Sequence, residues 1–214
     1  MRELANLGTA TISDALDMLN LDGGCRKLRS ITPGGRCVGL AYTIKFVPVE
    51  AGEQGPAADY IDDVPGGSVV VLDNGGLTHC TVWGDLLTAC ALSRGVAGTV
   101  IDGCCRDSAK IRSSGYPLFA RCTFMKSGKN RVRMESKQVP VTIGGTVIHP
   151  GDIIVCDDDG VLAVPAARAV EVAEVARGVS AMEERMGVAI AKGVPLHEAR
   201  HASNYNQFAW KVVQ

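Results

Sequence analysis

Gly98-Thr99-Val100-Ile101-Asp102-Gly103 is an apolar run bounded by glycine, the pattern of a strand covered on both faces. Upstream, Ser68-Val69-Val70-Val71-Leu72-Asp73 repeats that pattern. Between the two runs, residues 84–94 carry helical spacing that stops at Gly95, and residues 107–114 form a second short helical segment. Strand, helix, strand, helix with short connections predicts a sheet that is at least partly parallel. Outward from this unit, residues 36–47 are rich in Val, Leu, Ile, Tyr and Phe between Pro33 and Pro48, and read as a further strand. Residues 11–20 read as a helix entered through cap-forming side chains. After Pro117 the rhythm changes. Val139-Pro140-Val141-Thr142-Ile143, Thr146-Val147-Ile148, Asp152-Ile153-Ile154-Val155 and Val161-Leu162-Ala163-Val164 read as short strands separated by Gly, Pro and Asp turns. Pro165 then opens a long helical stretch, with Gly178 as its weak point. Twenty-odd helical residues extend roughly 30 Å or more, enough to touch a neighbouring molecule.

The bulk numbers bound the function. With 214 residues, 46% hydrophobic and 21% charged, the chain can bury a sizeable core, and no linker-like run divides it. One domain over residues 1–214 is expected, with a C-terminal helical tail (about 166–214) contacting a neighbouring protomer. A net charge of −1 predicts neither a nucleic-acid footprint nor attraction to an anionic membrane. No apolar run is long enough to span a bilayer, and Met1-Arg2-Glu3-Leu4-Ala5 lacks the apolar core of a signal peptide, so a soluble, cytoplasmic protein is expected. Of eight cysteines, Cys80, Cys90, Cys122 and Cys156 sit among apolar or strand-like neighbours, Cys104-Cys105 is a vicinal pair, and no C-x-x-C occurs. The expectation is reduced, mostly buried thiols rather than disulfides. Cys105, beside Arg106, has a second reading as a reactive thiol of lowered pKa.

Gly84-Asp85-Leu86-Leu87 and, with twenty residues between Asp85 and it, Arg106-Asp107 carry the chemistry. A helix N-terminus presents unpaired N–H groups and a positive dipole end, so it suits carboxylates and phosphates. Gly84 lets a ligand approach the backbone. Arg106 can fork onto a carboxylate or enolate oxygen, and Asp107 suits Mg²⁺, a cation that prefers oxygen ligands and keeps several waters. The ordinary alternative makes Asp85 and Asp107 helix-start carboxylates and Arg106 a surface ion-pair partner. Spacing alone favours that alternative.

The pattern Asp85-x20-Arg106-Asp107 resembles the signature of the class II 4-hydroxy-4-methyl-2-oxoglutarate/4-carboxy-4-hydroxy-2-oxoadipate aldolases, which share a fold with the regulator of ribonuclease activity A (RraA) proteins. Pro117-Leu118-Phe119-Ala120, Pro150-Gly151-Asp152-Ile153-Ile154-Val155-Cys156-Asp157-Asp158-Asp159-Gly160-Val161 and Val164-Pro165-Ala166-Ala167-Arg168-Ala169 extend the likeness over roughly residues 7–185. The resemblance implies an RraA-like α/β fold, a layered α/β/α sandwich with a mixed sheet of the swivelling-domain type, assembled as a homotrimer or hexamer. It implies a divalent-metal-dependent lyase (Mg²⁺ or Mn²⁺) cleaving a 4-hydroxy-2-oxo acid to pyruvate, with oxaloacetate decarboxylase activity through the same enolate. Asp107 would be the metal ligand, with Asp85 reaching the metal through water. Arg106 would steady the pyruvyl enolate, and Gly84 with the amides of Leu86 and Leu87 would hold its carboxylate. A glutamate on the C-terminal helix would reach an adjacent protomer's site, falling by position on Glu183, with Glu184 beside it as the competing assignment. The alternative within the superfamily is a non-enzymatic regulator that binds an RNA-degradation protein, against which Asp85 argues.

Two departures bear on the substrate. Lys110 stands where the regulator motif has an acid, and Glu53-Gln54-Gly55-Pro56-Ala57-Ala58 lacks the polar, histidine-bearing character of the aldolases, which bears on the distal part of a substrate. His197-Glu198-Ala199-Arg200-His201 satisfies H-E-x-x-H, but Asn204 and Gln207 stand where the extended zinc-protease motif needs Gly and His. A solvated or subunit-contacting tail is the better reading. Asp157-Asp158-Asp159-Gly160 reads as a turn, and no glycine-rich nucleotide loop supports a methyltransferase. Lys126-Ser127-Gly128-Lys129-Asn130-Arg131-Val132-Arg133 reads as a solvated basic loop, or alternatively as a contact to an anionic substrate arm.

Overall fold

The computed structural model describes residues 1–50, 55 and 59–205. The segment 53–58, apart from Gly55, and the end of the C-terminal tail lie outside the described residues.

Three apolar runs become the parallel heart of a mixed sheet. Strand β2 (Cys37–Pro48) pairs parallel with β3 (Val69–Trp83), β3 with β4 (Gly98–Cys105), and β4 with β5 (Leu118–Thr123). A two-residue strand, β1 (Arg29–Ser30), closes one edge antiparallel to β5. On the other side the first residues of β2 pair antiparallel with β9 (Ile153–Asp157), which turns back into β10 (Gly160–Val164). Strand β6 (Val132–Lys137) pairs with the far end of β2. A separate two-stranded ribbon is formed by β7 (Val141–Ile143) and β8 (Thr146–Ile148).

Period-two alternation assigns the faces. Val70, Leu72 and Ile101 point to a core shared with Ala91 of α2 (Asp85–Ser93) and Ile111 of α3 (Ser108–Ser114). Val69, Val71 and Val100 point the other way, against Val141, Ile143 and Ile148 of the ribbon. Helices α1 (Thr9–Met18) and α4 (Ala169–Ala191) pack Ile12, Leu16, Val172 and Ala176 on Ile153, Val155 and Leu162 of the β9–β10 hairpin. A final helix, α5 (Leu196–Ala202), seats Ala199 against Met182 and Met186 of α4. The α/β reading with a mixed sheet therefore holds, the reverse face of the parallel strands being covered by a β-ribbon. Among the described residues no helix is long and apolar enough to cross a membrane.

The structure departs from expectation in three places. Strand β3 runs on to Trp83 rather than ending at Asp73. Gly75 and Gly76 take positive φ (59° and 71°), so the chain bulges there and pairs again with β4 through Leu77, Thr81 and Trp83. Second, two further short strands appear, β5 directly after Pro117 and β6 beginning inside the Lys126–Arg133 run expected as a basic loop. Third, the structure corrects the expectation that all cysteines are free. Cys104 and Cys122 face each other across the β4–β5 ladder, Cα atoms 4.9 Å apart, and are joined as a disulfide. The remaining described cysteines are free, all buried except Cys90.

Candidate active site

In open α/β sheets ligands gather beyond the carboxyl ends of the parallel strands. Here those ends carry the residues singled out from sequence. Strand β3 ends at Trp83 and passes through Gly84 into α2; β4 ends at Cys105 and passes through Arg106 and Asp107 into α3. The Arg106 amide donates to the Trp83 carbonyl at 3.0 Å, which stitches the two exits together.

Gly84 is required for room rather than for backbone freedom, since its φ of −156° is open to any residue. A Cβ there would meet Asp107 Oδ2 at 2.7 Å and Arg106 Cγ and Nε at 3.3 Å. The side chains of Arg106 and Asp107 thus lie directly over the Gly84 α-carbon. Asp107 Oδ2 accepts from the Asp85 amide at 3.3 Å and lies 3.4 Å from Arg106 Nε. Asp107 itself sits in the left-handed region (φ 57°, ψ 31°) at the start of α3. A non-glycine residue held there costs on the order of 1 kcal/mol or more, and such outliers concentrate where function demands an orientation.

Lys110 lies one turn along α3 and pairs with Asp85 Oδ2 at 2.5 Å. This ion pair holds the Asp85 carboxyl below the ordinary range and the Lys110 ammonium above its own, with burial opposing each shift. The pair is open to solvent, so it orients more than it stabilises. Asp85 Oδ1 accepts the Leu86 amide at 3.0 Å. The ladder of α2 begins with the Thr88 amide donating to Gly84 O at 3.1 Å, so the amides of Asp85, Leu86 and Leu87 lie ahead of it at the positive end of the helix.

The site faces two concavities, and Arg106 lines both. One, of about 430 Å³, is bounded by Asp107, Ser108, Thr123, Phe124 and Met125. The other, of about 400 Å³, runs from Gly84, Asp85, Leu86 and Leu87 along Phe46, Tyr60, Trp83 and Val132 to Ser127 and Lys129. Its floor is rigid. Trp83 stacks on Tyr116 with centroids 6.0 Å apart, and its indole N–H donates to Thr88 Oγ1 at 2.8 Å.

The structure therefore brings together Gly84, Asp85, Leu86, Leu87, Arg106 and Asp107. Glu183 is elsewhere in the chain: it accepts from Thr11 Oγ1 of α1 at 3.3 Å and does not line either concavity. Cys105 is buried, and burial pushes its thiol pKa up to about 11, opposite to the lowered pKa of the second reading. His197 is exposed, and among the described residues no three His, Cys, Asp or Glu side chains converge as a metal cage. Lys110, in sequence only a departure from the regulator motif, becomes the partner of Asp85 because α3 packs beside α2, a juxtaposition that spacing along the chain does not signal. Ser127, Gly128 and Lys129 belong to the run expected as a solvated basic loop or, alternatively, as a contact to an anionic substrate arm. They line the wall, held by the Thr81 amide donating to Lys126 O at 3.0 Å.

A mixed α/β fold with an Asp–Arg–Asp cluster over a glycine at the strand ends defines the class. The chain belongs to the RraA-like family (Aldolase/RraA), whose model matches residues 9–163. Protein DlpA of Legionella pneumophila is 44% identical over 97% of this chain, which spans only 34% of DlpA's own length. A Halalkalibacterium halodurans protein bearing the name "Putative 4-hydroxy-4-methyl-2-oxoglutarate aldolase" is 31% identical over 90% of this chain and 89% of its own. Among solved structures, an uncharacterized protein from Pseudomonas syringae pv. tomato shares 47% identity and a TM-score of 0.87, covering 93% of this chain and 95% of that one. Streptomyces coelicolor RraAS2, described as an unusual member of the RNase ES inhibitor RraA family, shares 29% identity and a TM-score of 0.78 over 86% and 93%.

Proposed function

We propose that this chain is a divalent-metal-dependent lyase that cleaves a 4-hydroxy-2-oxo acid to pyruvate and a second carbonyl compound, and that decarboxylates oxaloacetate through the same enolate. The observation that carries the reading is the packing of Arg106 and Asp107 against the bare α-carbon of Gly84, beside Asp85 and the open end of α2. In this cleavage the C4 hydroxyl loses its proton, the C3–C4 bond breaks, C4 becomes a carbonyl, and the electron pair passes to the C2 oxygen as an enolate that is then protonated at C3. Such a reaction needs a clamped carboxylate and a stabilised enolate oxygen.

The donor set fits Mg²⁺ or Mn²⁺. Asp107 and Asp85 offer hard oxygens with no thiolate or imidazole beside them, and one or two carboxylates completed by water is the arrangement Mg²⁺ accepts. Asp107 would hold the ion, with Asp85 close by; once bound it would supply Lewis-acid polarisation of the C2 ketone. Arg106 places a permanent cation where the enolate oxygen develops charge. The Leu86 and Leu87 amides receive the substrate carboxylate, which displaces Asp85 Oδ1 from the Leu86 amide. Glu183, or Glu184 beside it, completes the site of an adjacent protomer in a homotrimer or hexamer, and the C-terminal helical tail carries it there. The enzyme acts in the cytoplasm, and its partners are a small oxo acid and its own copies.

Pyruvate release from oxaloacetate and from 4-hydroxy-4-methyl-2-oxoglutarate, with Mg²⁺ and with EDTA, tests this. Release that requires the metal and is lost in Arg106→Ala is expected. The regulator reading is separated by Asp107→Ala, which should abolish release if the lyase reading holds. No release by an assembled wild-type protein, with either compound, would overturn the proposed activities.

A further inference from the structure

Asp85 is not a free ligand, because both of its oxygens are engaged. Oδ2 lies 2.5 Å from Lys110 Nζ, and Oδ1 accepts the Leu86 amide at 3.0 Å. Asp107 is held by longer contacts, its Oδ2 lying 3.3 Å from the Asp85 amide and 3.4 Å from Arg106 Nε. Lys110 reaches Asp85 from α3, the helix that Asp107 itself opens. One short element therefore carries both the proposed metal ligand and the cation that engages the neighbouring carboxylate. The Lys110 side chain is 73% exposed, so the ion pair contributes little to folding. What it does is fix where the Asp85 carboxylate sits. A divalent cation on Asp107 would attract the same Asp85 oxygen, so ion and ammonium compete for it.

We infer that Lys110 is the positioning residue of Asp85: its ammonium keeps the Asp85 carboxylate off the divalent ion that Asp107 holds, so the ion binds weakly and keeps positions open to water and substrate. This rests on the metal-dependent reading above and adds to it the residue that tunes the metal. Mg²⁺ and Mn²⁺ accept one or two carboxylates with water completing the shell, and each further carboxylate tightens the ion while closing a position. Two separable effects follow from Lys110. The field of a solvent-exposed ammonium a few ångströms away changes divalent affinity roughly threefold at physiological salt. Holding a second carboxylate away from the ion changes it by on the order of a further tenfold. Removing Lys110 should therefore tighten the metal and slow the chemistry together, whereas damage to the fold would weaken both.

The test measures the Kd for Mn²⁺ by titration of the full chain, without substrate, in wild type, Lys110→Met and Lys110→Arg. Alongside, exchange of the pyruvate methyl protons in D₂O at saturating Mn²⁺ reads the pyruvyl chemistry. Lys110→Met should bind Mn²⁺ about thirtyfold more tightly and exchange about tenfold more slowly. Lys110→Arg, which keeps the cation, should stay within about threefold of wild type in both. A double-mutant cycle separates field from position. In an Asp85→Asn background the Lys110→Met gain should fall to about threefold, because the carboxylate it would release is gone. Wild-type binding with an unchanged or weaker Kd in Lys110→Met overturns the inference and leaves the metal-dependent reading standing. An equal gain in both backgrounds overturns it too, since Lys110 would then act by charge alone. No Mn²⁺ binding by wild type or Lys110→Met, with no exchange, overturns the inference and the metal-dependent reading together.

Discussion

The carboxylates at the β9–β10 hairpin and those at the exits of β3 and β4 are treated in opposite ways. At the hairpin, Asp152 and Asp157 are consumed by nearby donors. Asp152 accepts the His149 amide at 2.8 Å and the Ala166 amide at 3.0 Å, and Asp157 accepts both the amide and the hydroxyl of Thr9. In the parallel half, Asp85 and Asp107 are set beside one another, balanced by Lys110 and Arg106 and left partly open to solvent. The first arrangement ties α1 and the start of the C-terminal helices to the β9–β10 hairpin. The second keeps charge available at the strand ends and holds Asp107 in left-handed backbone to do so. If the proposed function holds, substitutions at the hairpin and at the strand ends should sort by region, the first acting on stability and the second on turnover.

The largest expected effect on folding belongs to the antiparallel half. Leu16→Ala removes a side chain 1% exposed between α1, α4 and the hairpin, and should cost about 3 kcal/mol in urea unfolding while leaving pyruvate exchange intact where the protein remains folded. A matching loss of exchange in the folded protein would break the division. Gly84→Ala should do the reverse. Its backbone angles suit alanine, but the new methyl displaces Asp107 and Arg106, so turnover should fall about 100-fold with little change in melting temperature. Thr88→Val tests the boundary. It strips the buried Trp83 indole of its acceptor and should cost about 2 kcal/mol, and the loosened cleft floor should lower turnover less than Gly84→Ala does.

The parallel unit was legible because its evidence is local. Buried strands announce themselves as apolar runs, and Asp85, Arg106 and Asp107 are fixed to strand exits by short connections. What depended on register was not legible. Cys104 and Cys122 meet only because β4 and β5 align them, which spacing along the chain does not encode. Asn74-Gly75-Gly76 carries the composition of a turn, yet β3 continues through it because β4 offers a second stretch of partners. The cleft wall draws Phe46, Tyr60, Trp83, Ser127 and Val132 from distant segments, so sequence could flag the Asp85–Arg106–Asp107 end but not the apolar one. Lys110 was visible as a residue and unreadable as a partner until α3 faced α2.

The smallest effect is the one that depends on pH. Helix α1 has glycine at its N-cap, Gly8, which supplies no side-chain acceptor. Asp157 supplies one from across the fold, accepting the Thr9 amide at 2.8 Å and the Thr9 hydroxyl at 2.5 Å. Burial alone would raise the Asp157 pKa, but the donors from Thr9 and Asp159, with Arg36 nearby, outweigh it and hold the carboxyl below its ordinary 3.8. A depressed folded-state pKa contributes stability that is present above the unfolded value and is lost as pH falls through the folded one. Asp157→Asn, which keeps an acceptor and removes the charge, should therefore cost about 1 kcal/mol near neutral pH. The gap between wild type and variant should narrow as pH drops below about 4. Urea midpoints of both proteins across that range measure it. A gap that stays constant into acid would mean that Asp157 holds α1 by shape rather than charge, and would bring the antiparallel half closer to an ordinary packed core than to a set of charged caps.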